Sequence, residues 1–171
     1  ENSTEIWVSN IDKKSFNGSL SLMEVSQNGT LRVIQNSQVS ISPNSSSMIN
    51  ILMESHKKPN SILLALLLDP NNEIIAKDIS FGNNLKNIKL QKPKLSFKYS
   101  KGTGNLVRLV VSTEVPVKGL WLDIDNFQLS DNGFDLVPGI DHYVICKPEK
   151  PNLKFSIEAI KTISLNDVVN D

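Results

Sequence analysis

The chain is dominated by short runs in which apolar and polar residues alternate, with Asn, Gly, Ser or Pro between one run and the next. In the N-terminal third "EIWVSNI", "GSLSLMEVS", "LRVIQ", "QVSIS" and "SMINILM" follow one another in this way. A period of two puts every second side chain on one face of a strand, so these runs predict antiparallel sheets with one buried and one wet face. Two connections carry turn chemistry. "QNGT" (Gln27 to Thr30) sets Asn-Gly between alternating runs, and "DPNNE" (Asp69 to Glu73) does the same between "ILLALLL" and "IIAKDI". Helical spacing is confined to "SLNDVVND", enough for about one turn. Evenly spaced short strands with turns between them predict an all-β, sandwich architecture.

The alternation lapses in "FGNNLKNIKLQKPK" (Phe81 to Lys94), which is rich in Asn and Lys and carries Pro93 near its end. It then resumes with "KLSFKYS", "NLVRLVVST", "GLWLDID", "HYVICK" and "LKFSIEAI". A long structureless loop is uncommon inside one compact domain. The expectation is therefore two sandwiches of about 80 to 90 residues each, residues 1–87 and 88–171.

Charge and cysteine content narrow the functions. The 171 residues carry 18 basic and 18 acidic side chains with no block of one sign, whereas nucleic acids and anionic membranes call for a concentrated basic footprint. The longest apolar run, "SILLALLLD" (Ser61 to Asp69), is far too short to cross a bilayer and reads as a buried strand. "ENSTEIWVSN" has neither a basic nor an apolar stretch, so no signal peptide is expected, an absence without meaning in a fragment. Cys146 stands alone, which leaves no partner for a disulfide, and its alternation with Val144 makes it a small core residue. His142 would share its face but lie about 13 Å away along an extended strand, too far for a catalytic dyad. His56, in "ESHKKPN", is read as a solvated turn residue.

The stretch "SDNGFDLVPGIDHYVI" (Ser130 to Ile145) reads as a sandwich corner. Asp131-Asn132-Gly133 makes a turn in which Gly133 takes positive φ freely. Phe134 and Leu136 then face inward from a short strand while Asp135 faces out. Pro138-Gly139 is the central pair of a type II turn, with Gly139 left-handed.

Candidate chemistry is sparse. Glu114, Asp123, Asp125, Asp131, Asp135 and Asp141 provide carboxylates, each explained by a turn or an outward strand face. Asp123 and Asp125 fall well short of the six to eight oxygens of a calcium site. No catalytic residue, metal site or cofactor is assigned. Exposed aromatic rings can stack on a pyranose, and Trp7, Trp121 and Tyr143, with Tyr99, are the candidates for saccharide contact. Trp121 lies on the opposite strand face from Leu120 and Leu122, and a mid-strand Trp in a sandwich is more often core than platform. Asn2-Ser3-Thr4, Asn17-Gly18-Ser19, Asn28-Gly29-Thr30 and Asn44-Ser45-Ser46 match the glycosylation acceptor pattern and predict exposed turns.

"VKGLWLDIDNFQLSDNGFDLVPGIDHYVI" resembles the C-terminal immunoglobulin-like domain of β-mannosidases in glycoside hydrolase family two. There a strand of the kind "a-k-x-v-[w/f]-L" is followed by "s-D-N-[y/f]-F-D-L-L-P-G-E". Lys118, Leu120 to Leu122, Ser130 to Asn132, Phe134 to Leu136 and Pro138-Gly139 match; Gly133 replaces the usual aromatic and Ile140 the usual Glu. "LLALLLDPNNEIIAKDISF" and "VSNIDKKSFNGSLSLMEVSQNGTL" resemble the end and the opening of the preceding domain, and "NIKLQKPKL" the connector. The resemblance implies two consecutive immunoglobulin-like β-sandwich domains. The parent would be a retaining hydrolase with two glutamates on an (α/β)-barrel, for which roughly 250 residues would be needed. Its catalytic and N-terminal domains would be this region's partners. Beside that structural role stand two alternatives, binding of β-mannosides or other saccharides and a cell-surface adhesion module. The lack of disulfides fits a cytoplasm and equally a periplasmic polysaccharide-degrading enzyme; of these, a periplasmic or extracellular placement is preferred.

Overall fold

The computed structural model describes residues 3–53, 62–82 and 88–168. His56, Asn2, residues 83–87 of the connection and the last three residues of "SLNDVVND" lie outside the described residues. Every strand pairing in the described chain is antiparallel, and the chain divides into two compact units: Glu1–Val25 with Leu31–Ile88, and Ser26–Thr30 with Lys89–Asp171.

The first unit holds β1 (Ser3–Asn10), β2 (Phe16–Val25), β3 (Leu31–Ile41), β4 (Ser45–Met53), β5 (Ile62–Leu68) and β6 (Ile74–Ser80). β1 and β4 form a two-stranded sheet, with a bulge between Ile6 and Trp7. The other four strands form a sheet in the order β3-β2-β5-β6. Val8, Leu20, Val39 and Ile41 pack between the sheets, with Ile6, Phe16, Ile49, Ala65 and Leu67 against them. "LRVIQ" and "QVSIS" prove to be one strand rather than two. Asn36 and Ser37 continue the ladder opposite Ser21 and Leu20, and their polarity marks an open position, not a turn.

Both expected turns form. In the β2–β3 turn Gly29 has φ of 88° and its N–H donates to the Ser26 carbonyl at 2.9 Å. In the β5–β6 turn Asn72 is left-handed, and one Asp69 carboxylate oxygen accepts from the amides of Asn71 and Glu73 at 2.8 and 2.9 Å. Those backbone bonds, the Glu73 amide foremost, hold the Asp69 carboxyl below its ordinary pKa.

In the second unit β7 (Leu95–Lys101), β8 (Val107–Thr113), β10 (Phe127–Leu129) and β12 (His142–Pro148) form a sheet ordered β10-β12-β8-β7. It faces a sheet ordered β11-β9-β13, of β9 (Val117–Asp123), β11 (Phe134–Leu136) and β13 (Lys161–Ile163). One continuous core fills the space, with Leu109 and Val111 of β8, Leu120 and Leu122 of β9, and Val144 and Cys146 of β12 all buried. The Cys146 thiol is pushed up to about 11 by that burial.

"LKFSIEAI" departs from the expected strand. It runs unpaired into a single 3-10 turn at Ile157–Ala159, and the strand follows it as β13. Phe155 explains the detour: its ring packs 5.0 Å from Tyr99 and edge-on to Phe127 at 5.5 Å, so packing and not a ladder holds the segment. A short helix, α1 (Leu165–Val168), closes the described chain.

Candidate functional site

The corner between β9 and β12 is assembled by side chains that stand in for backbone. β11 is only three residues long, and Asn132, just before it, extends the pairing with its carboxamide. Asn132 Oδ1 accepts from the Leu122 amide at 2.7 Å while its Nδ2 donates to the Leu122 carbonyl at 2.8 Å. One side chain thus satisfies both backbone groups of a buried strand residue. Phe134 and Leu136 are buried, and Gly133 and Gly139 have φ of 72° and 77°, as the corner reading expects. The Ile140 amide closes the Pro138-Gly139 turn on the Val137 carbonyl.

Asp135 corrects that reading. Rather than facing solvent, its side chain is 17% exposed, paired with Lys118 Nζ at 2.7 Å and accepting from the Gly119 amide at 2.8 Å. The cause lies in β9. Gly119 is left-handed at φ 62°, and the ladder shifts between Phe134 and Leu136 so that Phe134 faces Leu120 while Leu136 faces Val117. The resulting bulge aims the Gly119 N–H at Asp135. Asp131 accepts from the Asn132 amide at 2.8 Å, the turn role expected of it, and lies 2.9 Å from His142 Nε2. The His142 ring stacks on Phe134 with centroids 3.9 Å apart.

The other carboxylates are dispersed. Glu114 pairs with Lys94 at 3.3 Å, Lys161 sits 3.8 Å from Asp123 and 3.9 Å from Asp125, and Asp141 is exposed. Glycosidic hydrolysis needs two carboxyl groups facing one enclosed sugar, roughly 5 to 9.5 Å apart. These groups face outward: Asp123 and Asp125 flank the one Lys161 ammonium at an exposed sheet edge, and Glu114 pairs with exposed Lys94. Among the described residues no three metal-ligating side chains gather.

The aromatic candidates are all accessible but do not converge. Trp7 is 58%, Trp121 54% and Tyr143 51% exposed. A mid-strand Trp is more often core than platform, but Leu120 and Leu122 face the core and Trp121 the outside. Asp123 shares its strand face, and a face carrying that carboxylate next to Lys161 stays in water. Tyr143 lies on the outer face of the opposite sheet, and the Arg108 guanidinium covers its ring at 4.5 Å. Trp7 belongs to the first unit, where its Nε1 donates to Glu5 at 3.0 Å. Tyr99 is half exposed, tilted against Phe155. Beside Trp121 on the edge strand β13 stands its ladder partner Ile163, also largely exposed. Together they make an apolar patch on the outer face of the smaller sheet. Of the acceptor tripeptides, Asn17 sits within β2 and not in a turn, while Asn28 and Asn44 do occupy turns.

Comparison with known proteins gives likenesses at the level of domain, sequence and fold. Residues 90–168 match the Ig_mannosidase family model, an Ig-fold domain. β-Mannosidase B of Aspergillus clavatus is 29% identical over 153 residues, covering 86% of this chain and 18% of that protein. The Neosartorya fischeri β-mannosidase B is 27% identical over 157 residues with the same coverage. The chain thus spans about a fifth of the length of the curated relatives it matches. Among solved structures, a β-D-mannosidase from Dictyoglomus thermophilum superposes with a TM-score of 0.78 at 15% identity, over 96% of this chain and 20% of its own. An exo-chitosanase from Amycolatopsis orientalis gives a TM-score of 0.67 at 10% identity, over 95% of this chain and 24% of its own. Residues 90–168 are thus similar to an Ig-fold domain, most of the chain is similar to a part of β-mannosidases, and the solved structures share its fold.

Proposed function

We propose that the chain is the non-catalytic, C-terminal β-sandwich region of a β-mannosidase-like retaining glycoside hydrolase, with domains at residues 1–87 and 88–171. Its role is to pack against the catalytic barrel of the longer polypeptide and to stabilise it. The observation that carries this reading is the Trp121–Ile163 patch: two large apolar side chains side by side and more than half exposed. Two adjacent large apolar side chains gain free energy when a neighbouring domain covers them. The dispersed carboxylates agree with a region that performs no hydrolysis.

Removing residues 1–171 from the full-length enzyme is expected to lower its thermal midpoint and soluble yield, with the surviving soluble fraction keeping its turnover. An unchanged midpoint would count against the stabilising role. The isolated chain is expected to leave aryl β-mannosides intact; turnover by the purified chain, abolished by substituting Asp131 or Asp135, would overturn the reading.

The exposure of Trp7, Trp121 and Tyr143 favours a second reading, saccharide binding. Titrating manno-oligosaccharides into the isolated chain while following tryptophan emission separates the two. Saturable quenching in the millimolar range or tighter supports the binding module.

A further inference from the structure

In the first unit a four-stranded sheet faces only two strands, and the mismatch leaves a cleft. β1 pairs with β4 along one edge, and along its other edge no strand is paired among the described residues. β6 is likewise the last strand of its sheet. Between these edges lies a cavity of about 250 Å³, bounded by Glu5 to Ser9 on one side and by Ala76 to Asp78 on the other. Leu63, Ala65 and Leu67 line it from β5, and their ladder partners Ser80, Asp78 and Ala76 share that face. In a closed sandwich this whole face would meet a second sheet.

We infer that the cleft seats one further strand, an extended segment with apolar residues at alternate positions, antiparallel to β1 and supplied by the same, longer polypeptide. The source of the strand rests on the reading of the chain as part of a larger glycosidase; the unpaired edge of β1 among the described residues does not. The seven-strand sandwich plan places a first strand beside the second, with the fifth on the second's far side. β1 and β4 occupy the second and fifth places, β2, β5 and β6 the third, sixth and seventh, and β3 adds to the larger sheet. The place beside β1 is the first strand's. The second unit shows that place filled, since β7 runs antiparallel along β8 from Leu95↔Thr113 to Lys101↔Val107. A two-stranded sheet is marginal alone, and its free edge of N–H and C=O groups pairs readily with an added strand. Alternate apolar side chains of the guest would land on Leu63, Ala65 and Leu67. Most of each curated relative lies outside the region matched here, so chain for such a strand is at hand.

The test is thiol labelling at Ala76→Cys, on the exposed rim of the cleft. Native Cys146 is fully buried and does not compete. The variant is compared in the 171-residue chain, in the full-length polypeptide, and in the 171-residue chain carrying a designed Thr-Val-Lys-Val-Thr-Val strand joined to Glu1 through Asn-Gly. Labelling is expected to be fast in the first and about tenfold or more slower in the other two. Equal rates in the short and full-length chains would overturn the inference. So would protection of the short chain that grows with its own concentration, which names a second copy as occupant, or that appears on adding manno-oligosaccharide, which names a sugar. Ile163→Cys, labelled in parallel, reads the accessory role separately: it is protected in the full-length polypeptide if the patch is a contact face, whatever fills the cleft.

Discussion

The second unit sets a four-stranded sheet against a three-stranded one, and Leu120, Leu122, Val144 and Cys146 vanish from solvent between them. The first unit sets four strands against two, and Leu63 and Ala65 line a cleft that opens to water. The strands in both have similar alternation and comparable apolar content. The contrast shows that alternation decides which side chains are available for a core, while the number of strands opposite decides how many of them are covered.

Cavity formation offers the largest test of that contrast. Leu120→Ala, in the closed core, should lower stability by about 3 to 4 kcal/mol because the lost side chain leaves an enclosed void. Leu67→Ala, on the partly exposed wall of the cleft, should lower it by only about 1 to 2 kcal/mol, since water already reaches that site and little enclosed void is left. Urea unfolding reports the two separately, Trp7 emission for the first unit and Trp121 emission for the second. A Leu67→Ala effect equal to that of Leu120→Ala would break the contrast.

The corner offers the next. Asn132→Ala strands the N–H and C=O of buried Leu122 and should destabilise the second unit by about 2 kcal/mol, with the first unit's transition unmoved. Gly139→Ala forces a Cβ into a left-handed position and should lower stability by about 1 kcal/mol. If it is neutral, the turn is not the constraint that fixes Phe134 and Leu136 inward.

The smallest expected effect is a pH dependence in the first unit. Asp69 has a depressed pKa in the folded chain. Its stabilising contribution is therefore present above the unfolded carboxylate's pKa of about 4 and is lost as the pH falls through the lower folded value. The advantage of the native chain over Asp69→Asn should shrink on that descent and stay flat from there to neutrality. An advantage that persists unchanged through the acid range would remove the turn amides as its cause.

What could be read from the residues followed from short-range chemistry. Gly139 and the inward set of β12 were legible because a turn type and a period of two each have a local cause. Trp121 stays ambiguous in the sequence because alternation separates two faces without saying which is buried, though Asp123 on the same face points it toward water. The "LKFSIEAI" segment alternates like a strand, yet pairing needs a free neighbour, and Phe155 finds an aromatic nest first. Asp135 turned inward through a bulge at Gly119, which no spacing announced. The cleft beside β1 was invisible for the same reason: a missing neighbour is a property of the sheet.

The carboxamide of Asn132 also bears on the order of events during folding. Its bonds to Leu122 span ten residues, a loop that closes within about 10 to 100 ns. Pairing β12 with β8 joins Cys146 to Val107 across the whole corner, a much longer closure with a larger entropic penalty. β9, the turn and β11 are thus placed to assemble early and to present Leu120, Leu122, Phe134 and Leu136 as a preformed face. Truncating Asn132 should then slow refolding, whereas truncating Val144 should chiefly hasten unfolding. On that view the Ser130–Gly139 corner is where the second unit begins.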